Sequence, residues 1–420
     1  MAAAPGGQRT GTPPAGGGVG RAAGRAAAGS RGGGCRPARA AGRTARRVAR
    51  RSGGRVVSAG ALVRDAPLVV VVGSGGVGKT TVAASLGLLS AGEGTDTLVM
   101  TFDPSLRLKD ALGVGGEALD REIEVPAGLP GRLSASLLDP RGTFDRLVAR
   151  YAPDAAARDR ILHNRFYRNL AGSLAGVLEY MAVERLYEVA LEGTHGRIVL
   201  DTPPTRQALD FLEAPSRIVG FLDSGALRIA LRPWFDERGH LRPASALGPL
   251  GRSLEGWLDR LVGLDLLRDM AEFFQAFEPL YEGFRRRATE VEALLRSERT
   301  LFVLVSGPGE ERIADTMFFA RQLVERGYRL GPIIVNRLHP PELAGDTAPA
   351  DPDDGEALIG WLARRDGEAL RQLRDLVGAS RPVHAVPLLD AEPTDIPGLA
   401  GLADHLVPPW GPSPPPGPGP

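Results

Sequence analysis

The chain has 420 residues, 43% of them apolar, and 51 basic against 50 acidic residues for a formal net charge of +1. That is material for one large α/β domain or two ordinary ones with a substantial core. No stretch reaches the roughly 18 to 20 continuous apolar residues of a membrane span and the start lacks the apolar block of a secretory signal, so a cytoplasmic protein is expected. A single cysteine, Cys35, and histidines standing singly at 163, 195, 240, 339, 384 and 405 argue against a disulfide, a zinc site or any metal held by protein ligands alone.

Residues 1–60 hold 12 arginines and no Asp or Glu, which leaves 39 basic against 50 acidic residues, net −11, for 61–420. This Arg/Gly/Ala-rich leader is expected to be disordered, because it offers little apolar surface to offset chain entropy. The chain uses 49 arginines and only two lysines, Lys79 and Lys109. Its arginine richness is thus chain-wide, and a solvated extension is preferred over an electrostatic arm for nucleic acid or anionic lipid, or a transit peptide. Nucleic acid is not an expected partner.

Past the leader, short β-branched runs alternate with helical patterns. The expected strands are 68–73, 97–103, 132–139, 197–201, 300–306, 331–336 and 383–388. Runs apolar on both faces and separated by helices predict an α/β fold, a doubly wound, mostly parallel sheet of seven or eight strands. About a hundred residues without a strand signal separate the fourth and fifth runs, and a helical insert is expected over about 215–298. Within it Leu267, Met270, Phe274, Phe277, Tyr281 and Phe284 fall on one helical face, with "RRR" (285–287) marking a basic end. Internal packing of that stripe is preferred over an exposed groove for an apolar client helix. The Pro-rich 407–420 reads as a solvated tail, and the folded domain is expected over 61–406.

The strongest motif is Gly73-Ser74-Gly75-Gly76-Val77-Gly78-Lys79-Thr80-Thr81, a complete phosphate-binding loop between a hydrophobic strand and an amphipathic helix. Its glycines let backbone N–H groups curl around a β-phosphate. Lys79 can bridge β- and γ-phosphates, and the Thr80 hydroxyl can meet Mg²⁺. Asp201, ending the run "RIVLD", fits the outer shell of the same magnesium ion, reached through water. Asp103 in "TFDPSLRL" sits on the same rim, where a carboxylate can orient or deprotonate water, a helix cap being the alternative.

Together with "AGVLEYMAVERLYE" (175–188), "DTPPTRQALDFLEAP" (201–215), "IIVNRL" (333–338) and "VPLLDAEPTDIPGLAGLADHL" (386–406), these motifs resemble the ArsA family. That family comprises the arsenical-pump ATPases and the related ATPases that target tail-anchored membrane proteins. The resemblance covers about 66–405. It implies a P-loop fold of the SIMIBI class, ATP and Mg²⁺ as ligands, and a nucleotide cycle that opens and closes a dimer to handle a protein client. It also implies Asp103 as the water-activating carboxylate, Asp201 and Thr205 in the second switch, Asn336 as the adenine reader, and Pro387 and Leu388 flanking the base. An asparagine amide matches the N6/N7 edge of adenine. No Asn/Thr-Lys-x-Asp motif for guanine follows a late strand.

The departures narrow the expectation. Soft metals need thiolates that the core lacks, so arsenite and zinc are not expected. The five methionines are too few for a methionine-rich client groove. Arg206 and Asp210 replace a glycine and an arginine of the second-switch motif. Ser74 stands where the resembled family carries the lysine that reaches across the dimer, so a homodimer would lack that cation unless Arg107 or Arg206 supplies it. A paralogous subunit bearing the lysine is therefore the expected dimer partner. Two other readings stay open: a ParA/MinD-like positioning ATPase, and a weakly catalytic nucleotide-binding regulatory subunit of a heterodimer.

Overall fold

The computed structural model describes residues 63–406 apart from 103–106, 115–120, 166, 168–176, 194, 224–268, 270–271, 274, 346–352 and 379–380. The expected leader and tail, Asp103 and most of the expected insert lie outside these described residues, as do the side chains of Thr205 and Arg206.

Eight strands form one sheet: β1 (Leu68–Gly73), β2 (Thr97–Thr101), β3 (Ile123–Glu124), β4 (Leu133–Leu137), β5 (Arg197–Asp201), β6 (Thr300–Ser306), β7 (Leu330–Leu338) and β8 (Val383–Pro387). Their order is β3-β4-β2-β5-β1-β6-β7-β8, and every pairing is parallel except β3 with β4. All seven expected runs are strands. The eighth, β3, has two residues and pairs at an edge, too short to leave a pattern of its own in the sequence.

The valine run of β1 is fully buried because helices cover both faces. Leu68, Val70 and Val72 point into one core with helices α5 (Val177–Tyr187), α6 (Thr205–Asp223), α7 (Tyr281–Arg296), α8 (Glu311–Glu325) and α9 (Gly355–Val377). Val69 and Val71 point into the other, with α1 (Lys79–Gly92), α2 (Arg107–Leu112) and α10 (Ile396–Leu406). A period of two read on a strand buried twice explains an unbroken apolar run.

The expected boundary of the helical insert at 215 falls inside α6, where Pro215 lies within the helix. Val291, Leu294 and Leu295 of α7 belong to the sheet's own core. Helices α3 (Pro140–Tyr151) and α4 (Ala155–His163) join α5 and the segment before α7 around a third, aromatic core. There Phe144 stacks on Tyr167 at 4.6 Å between ring centroids, Tyr180 on Phe284 at 5.1 Å, and Phe277 meets Phe284 edge-on at 4.7 Å. Of the expected stripe, Phe277 and Phe284 are buried here and Tyr281 packs against them half-buried, whereas Leu267, Met270 and Phe274 lie outside the described residues.

The expected basic end needs a correction at Arg287. Its side chain is 1% exposed and its Nε donates to Glu184 Oε2 at 2.6 Å, while Tyr180 donates its hydroxyl to the other oxygen of the same carboxylate. The guanidinium also lies 4.2 Å from the Tyr151 ring centroid. Burial works against the arginine charge, and the Glu184 carboxylate more than offsets it, raising its pKa. Arg285 and Arg286 stay at the surface beside Glu282 and Glu290, as a solvated basic end should.

Candidate functional site

The carboxyl ends of β1, β5 and β2 converge on one rim, where the loop from Ser74 to Gly78 carries the chain into α1. Backbone geometry dictates its glycines. Gly73 has φ 153°, and a Cβ there would stand 2.1 Å from the Val305 carbonyl oxygen of the neighbouring strand. Gly78 has φ 90°, and a Cβ would stand 2.4 Å from Asn336 Nδ2. Any other residue would strain the dihedral and fill the space. No acidic residue occupies the first turn of α1, so nothing there competes with an anion for the helix's positive end.

Lys79 folds back over this loop, and its Nζ donates to the Ser74 carbonyl at 3.0 Å. Thr80 donates its hydroxyl to Asp201 Oδ2 at 2.7 Å, and Thr101 donates to the same oxygen at 3.0 Å. The sheet register makes this meeting obligatory: Asp201 pairs laterally with Val71 on one side and Thr101 on the other, so its carboxylate lies between the two neighbouring strand ends. Asp201 is fully buried. Thr202, next in sequence, donates its hydroxyl to the Val71 carbonyl at 2.8 Å and ties the start of the β5–α6 connection to β1.

Above the loop lies a cavity of about 510 Å³, bordered by Gly75, Gly76, Gly78, Lys79, Thr80 and Thr81, with Arg107 and Pro204 on its far walls. A second cavity of about 170 Å³ lies beside it, bordered by Asn336, Pro387 and Leu388 together with Leu389, Ala391 and Leu402. Thr81, Arg337, Glu392 and Pro393 border both. Sequence-nominated residues from β1–α1, β7 and β8 thus meet around one cleft. Val77 is buried beneath it, and its carbonyl accepts from Asn336 Nδ2 at 2.9 Å. Asn336 therefore braces the loop as well as bordering the smaller cavity. Asp103 lies outside the described residues, and Ser74 contributes a carbonyl to Lys79.

Two neighbours of the cleft escaped the sequence reading. Arg337, at φ 63°, is the one non-glycine residue with positive φ among the described residues, and it sits where the β7–β8 register shifts between Val335 and Leu338. Its guanidinium approaches the Gly76 carbonyl at 3.4 Å and pairs with Glu392 at 3.3 Å. A bulge at the end of a strand re-aims a side chain in this way. Only the adjacency of Arg337 to Asn336 hinted at it, and nothing in the pattern of 388–395 singled out Glu392. Arg107, named as a substitute cation, does border the larger cavity.

Residues 66–407 match the family described as anion-transporting ATPase, ArsA. The chain belongs to that family. Its similarity to individual members is moderate. An uncharacterized Streptomyces coelicolor protein, SCO2128, is 30% identical over 339 residues, 80% of this chain and 75% of that protein. The "ATPase get3" of Aspergillus terreus is 27% identical over 348 residues, covering 81% of this chain and 91% of the relative. The one from Neurospora crassa is 27% identical over 279 residues, covering 66% and 75%. Membership places the chain among ATPases. Among the described residues no helix is long and apolar enough to cross a membrane.

Proposed function

We propose that this chain binds Mg·ATP in the paired cavities and hydrolyses it as one half of a dimer whose nucleotide cycle handles a protein client, with membrane proteins as one client class. The observation that carries this reading is the 2.7 Å hydrogen bond from Thr80 to the buried Asp201 carboxylate beside the glycine cradle. A hydroxyl and a carboxylate are hard oxygen donors suited to Mg²⁺, and the loop packs so closely on Asn336 that a Cβ at Gly78 would strike its amide. Thr80 would hold the ion directly and Asp201 through water; the bound ion supplies charge neutralisation between the β- and γ-phosphates. Lys79 orients the terminal phosphates, and backbone N–H groups from Ser74 to Thr81 receive the phosphate oxygens. Asn336, with one N–H on Val77, keeps its Oδ1 and its other N–H for the N6 amine and N7 of adenine, an edge on which guanine presents two acceptors, and Pro387 and Leu388 flank the base. Asp103 is assigned to the attacking water.

Ser74 favours a heterodimer. A serine carries no charge to stabilise the γ-phosphate of a facing subunit, so two copies of this chain would each lack the trans cation. A paralogue bearing the lysine completes the site on this chain, and the paralogue's own site, facing Ser74, is slow. The chain by itself then behaves as a nucleotide-binding subunit with weak turnover. Lys79→Ala should lower turnover by about 10² to 10³-fold or abolish ATP binding, read by phosphate release and equilibrium binding. Unchanged affinity and rate in that variant reject the assignment. Rapid hydrolysis by the isolated chain, insensitive to Arg107→Ala and Arg206→Ala, rejects the need for a partner.

A further inference from the structure

The two cavities do more than add up to one nucleotide site. With the base in the smaller one and the phosphates in the larger, a reading that rests on the proposed ATP site, the sugar must cross their junction. Four residues border both: Thr81, Arg337, Glu392 and Pro393. One of them, Glu392, is a carboxylate, the group that accepts hydrogen bonds from the vicinal hydroxyls of a ribose. We propose that Glu392, oriented by Arg337, is the ribose-reading residue of this chain and makes the site selective for ribonucleotides over deoxyribonucleotides.

Three observations support it. Glu392 stands on a loop fixed at both ends: Leu388 N–H donates to the Leu338 carbonyl at 2.7 Å, and Asp395 accepts from Gly398 N–H at 2.8 Å at the start of α10. Arg337 reaches Glu392 only because its backbone adopts φ 63°, a conformation that costs a non-glycine residue energy and is kept where the surroundings demand it. The ion pair is no reason to keep it: both side chains are largely exposed, 46% and 79%, and a pair so hydrated adds little to stability. Such exposure instead leaves the outer carboxylate oxygen open to a ligand. With Oε1 held by Arg337, Oε2 is left to accept from a sugar hydroxyl at the junction, and the same guanidinium approaches the Gly76 carbonyl of the phosphate loop. Arg337 is a positioning residue here, and Glu392 touches the substrate.

The test is competition against radiolabelled ATP on the full chain with Mg²⁺, using unlabelled ATP, 2′-deoxy-ATP and 3′-deoxy-ATP. A hydrogen bond to a charged acceptor is typically worth about tenfold or more in affinity, so at least one deoxy analogue should compete about tenfold less well than ATP. Glu392→Ala should bring ATP down to the level of that analogue without weakening the analogue itself. Arg337→Gly, which removes the guanidinium while tolerating the same φ, should shrink the ribose preference and retain nucleotide binding. Equal affinity for all three nucleotides in the wild type overturns the proposal, as does equal weakening of ATP and deoxy-ATP by Glu392→Ala. If ATP binds with an affinity that Lys79→Ala leaves unchanged, the ATP site itself is wrong, and this outcome is separate from either.

Discussion

Lys79 and Arg287 are both buried cations, 7% and 1% exposed, placed in two regions that treat charge differently. Lys79 borders an open cavity of about 510 Å³ and bonds to a backbone carbonyl of the loop it springs from. Arg287 borders aromatic rings and meets a full carboxylate at 2.6 Å. What surrounds a buried charge therefore says what it is for. On the proposed reading the cation beside the glycine-walled cavity serves a ligand, whereas the cation sealed between Tyr151, Phe284 and Glu184 serves the fold.

Arg287→Ala leaves Glu184 buried without its cation and should cost about 3–5 kcal/mol of stability, read as a lower urea midpoint. The paired change Arg287→Met with Glu184→Leu should recover most of that loss. Both variants should bind nucleotide as the wild type does at temperatures where they stay folded. A loss under about 1 kcal/mol would place Arg287 among ordinary surface pairs and erase the contrast.

A smaller effect sharpens the cavity side. Gly78→Ala combines φ 90° with a Cβ 2.4 Å from Asn336 Nδ2, and should cost about 1–3 kcal/mol while weakening nucleotide binding. Gly76→Ala shares the positive φ, 78°, but meets nothing within 4 Å. Its stability loss should be the smaller, confined to dihedral strain. Equal losses in calorimetry would show that close packing on Asn336 is not what Gly78 protects.

The smallest effect lies at the β8 edge, far from either cation. Burial pushes the His384 imidazole below its ordinary value of 6.5, and Arg374 adds to this. The folded state thus favours neutral His384. Its stability contribution is complete above pH 6.5 and is lost as pH falls from there through the depressed folded value. Unfolding midpoints at pH 7.5 and 5.5 should differ slightly more for the wild type than for His384→Gln. An identical pH dependence would show that the ring gains water in solution.

Much of the nucleotide region was legible in the sequence because its chemistry is local. A phosphate loop is nine consecutive residues, Gly73 to Thr81, and β1 buries both faces, so the valine run and the loop announce themselves. Asp201 was legible through its place at a strand end. The geometry of Arg337 was not, since a left-handed residue other than glycine arises from the β7–β8 register shift, which depends on a strand 45 or more residues away. Arg287 was misread for a similar reason. In the sequence it is one of three adjacent arginines, and only the turn of α7 against α5 sends it inward to Glu184, 103 residues earlier, while Arg285 and Arg286 face water. The insert's expected start at about 215 came from a gap without strands, which marks no helix ends, and that position lies within α6.

The central position of β1 carries a consequence for how the molecule is made. Leu68 pairs with Ile198 on one side and with Thr300 on the other, so the strand that launches the phosphate loop emerges before the other seven and waits for neighbours 130 and 232 residues downstream. At a synthesis rate of about 5–20 residues per second, roughly ten to fifty seconds separate β1 from β6. Until β5 emerges the four valines have neither neighbour, and until β6 emerges one edge of β1 stays open, an aggregation-prone strand. Truncation before residue 300, which leaves one edge of β1 without its partner, should yield insoluble product and no nucleotide-competent fragment.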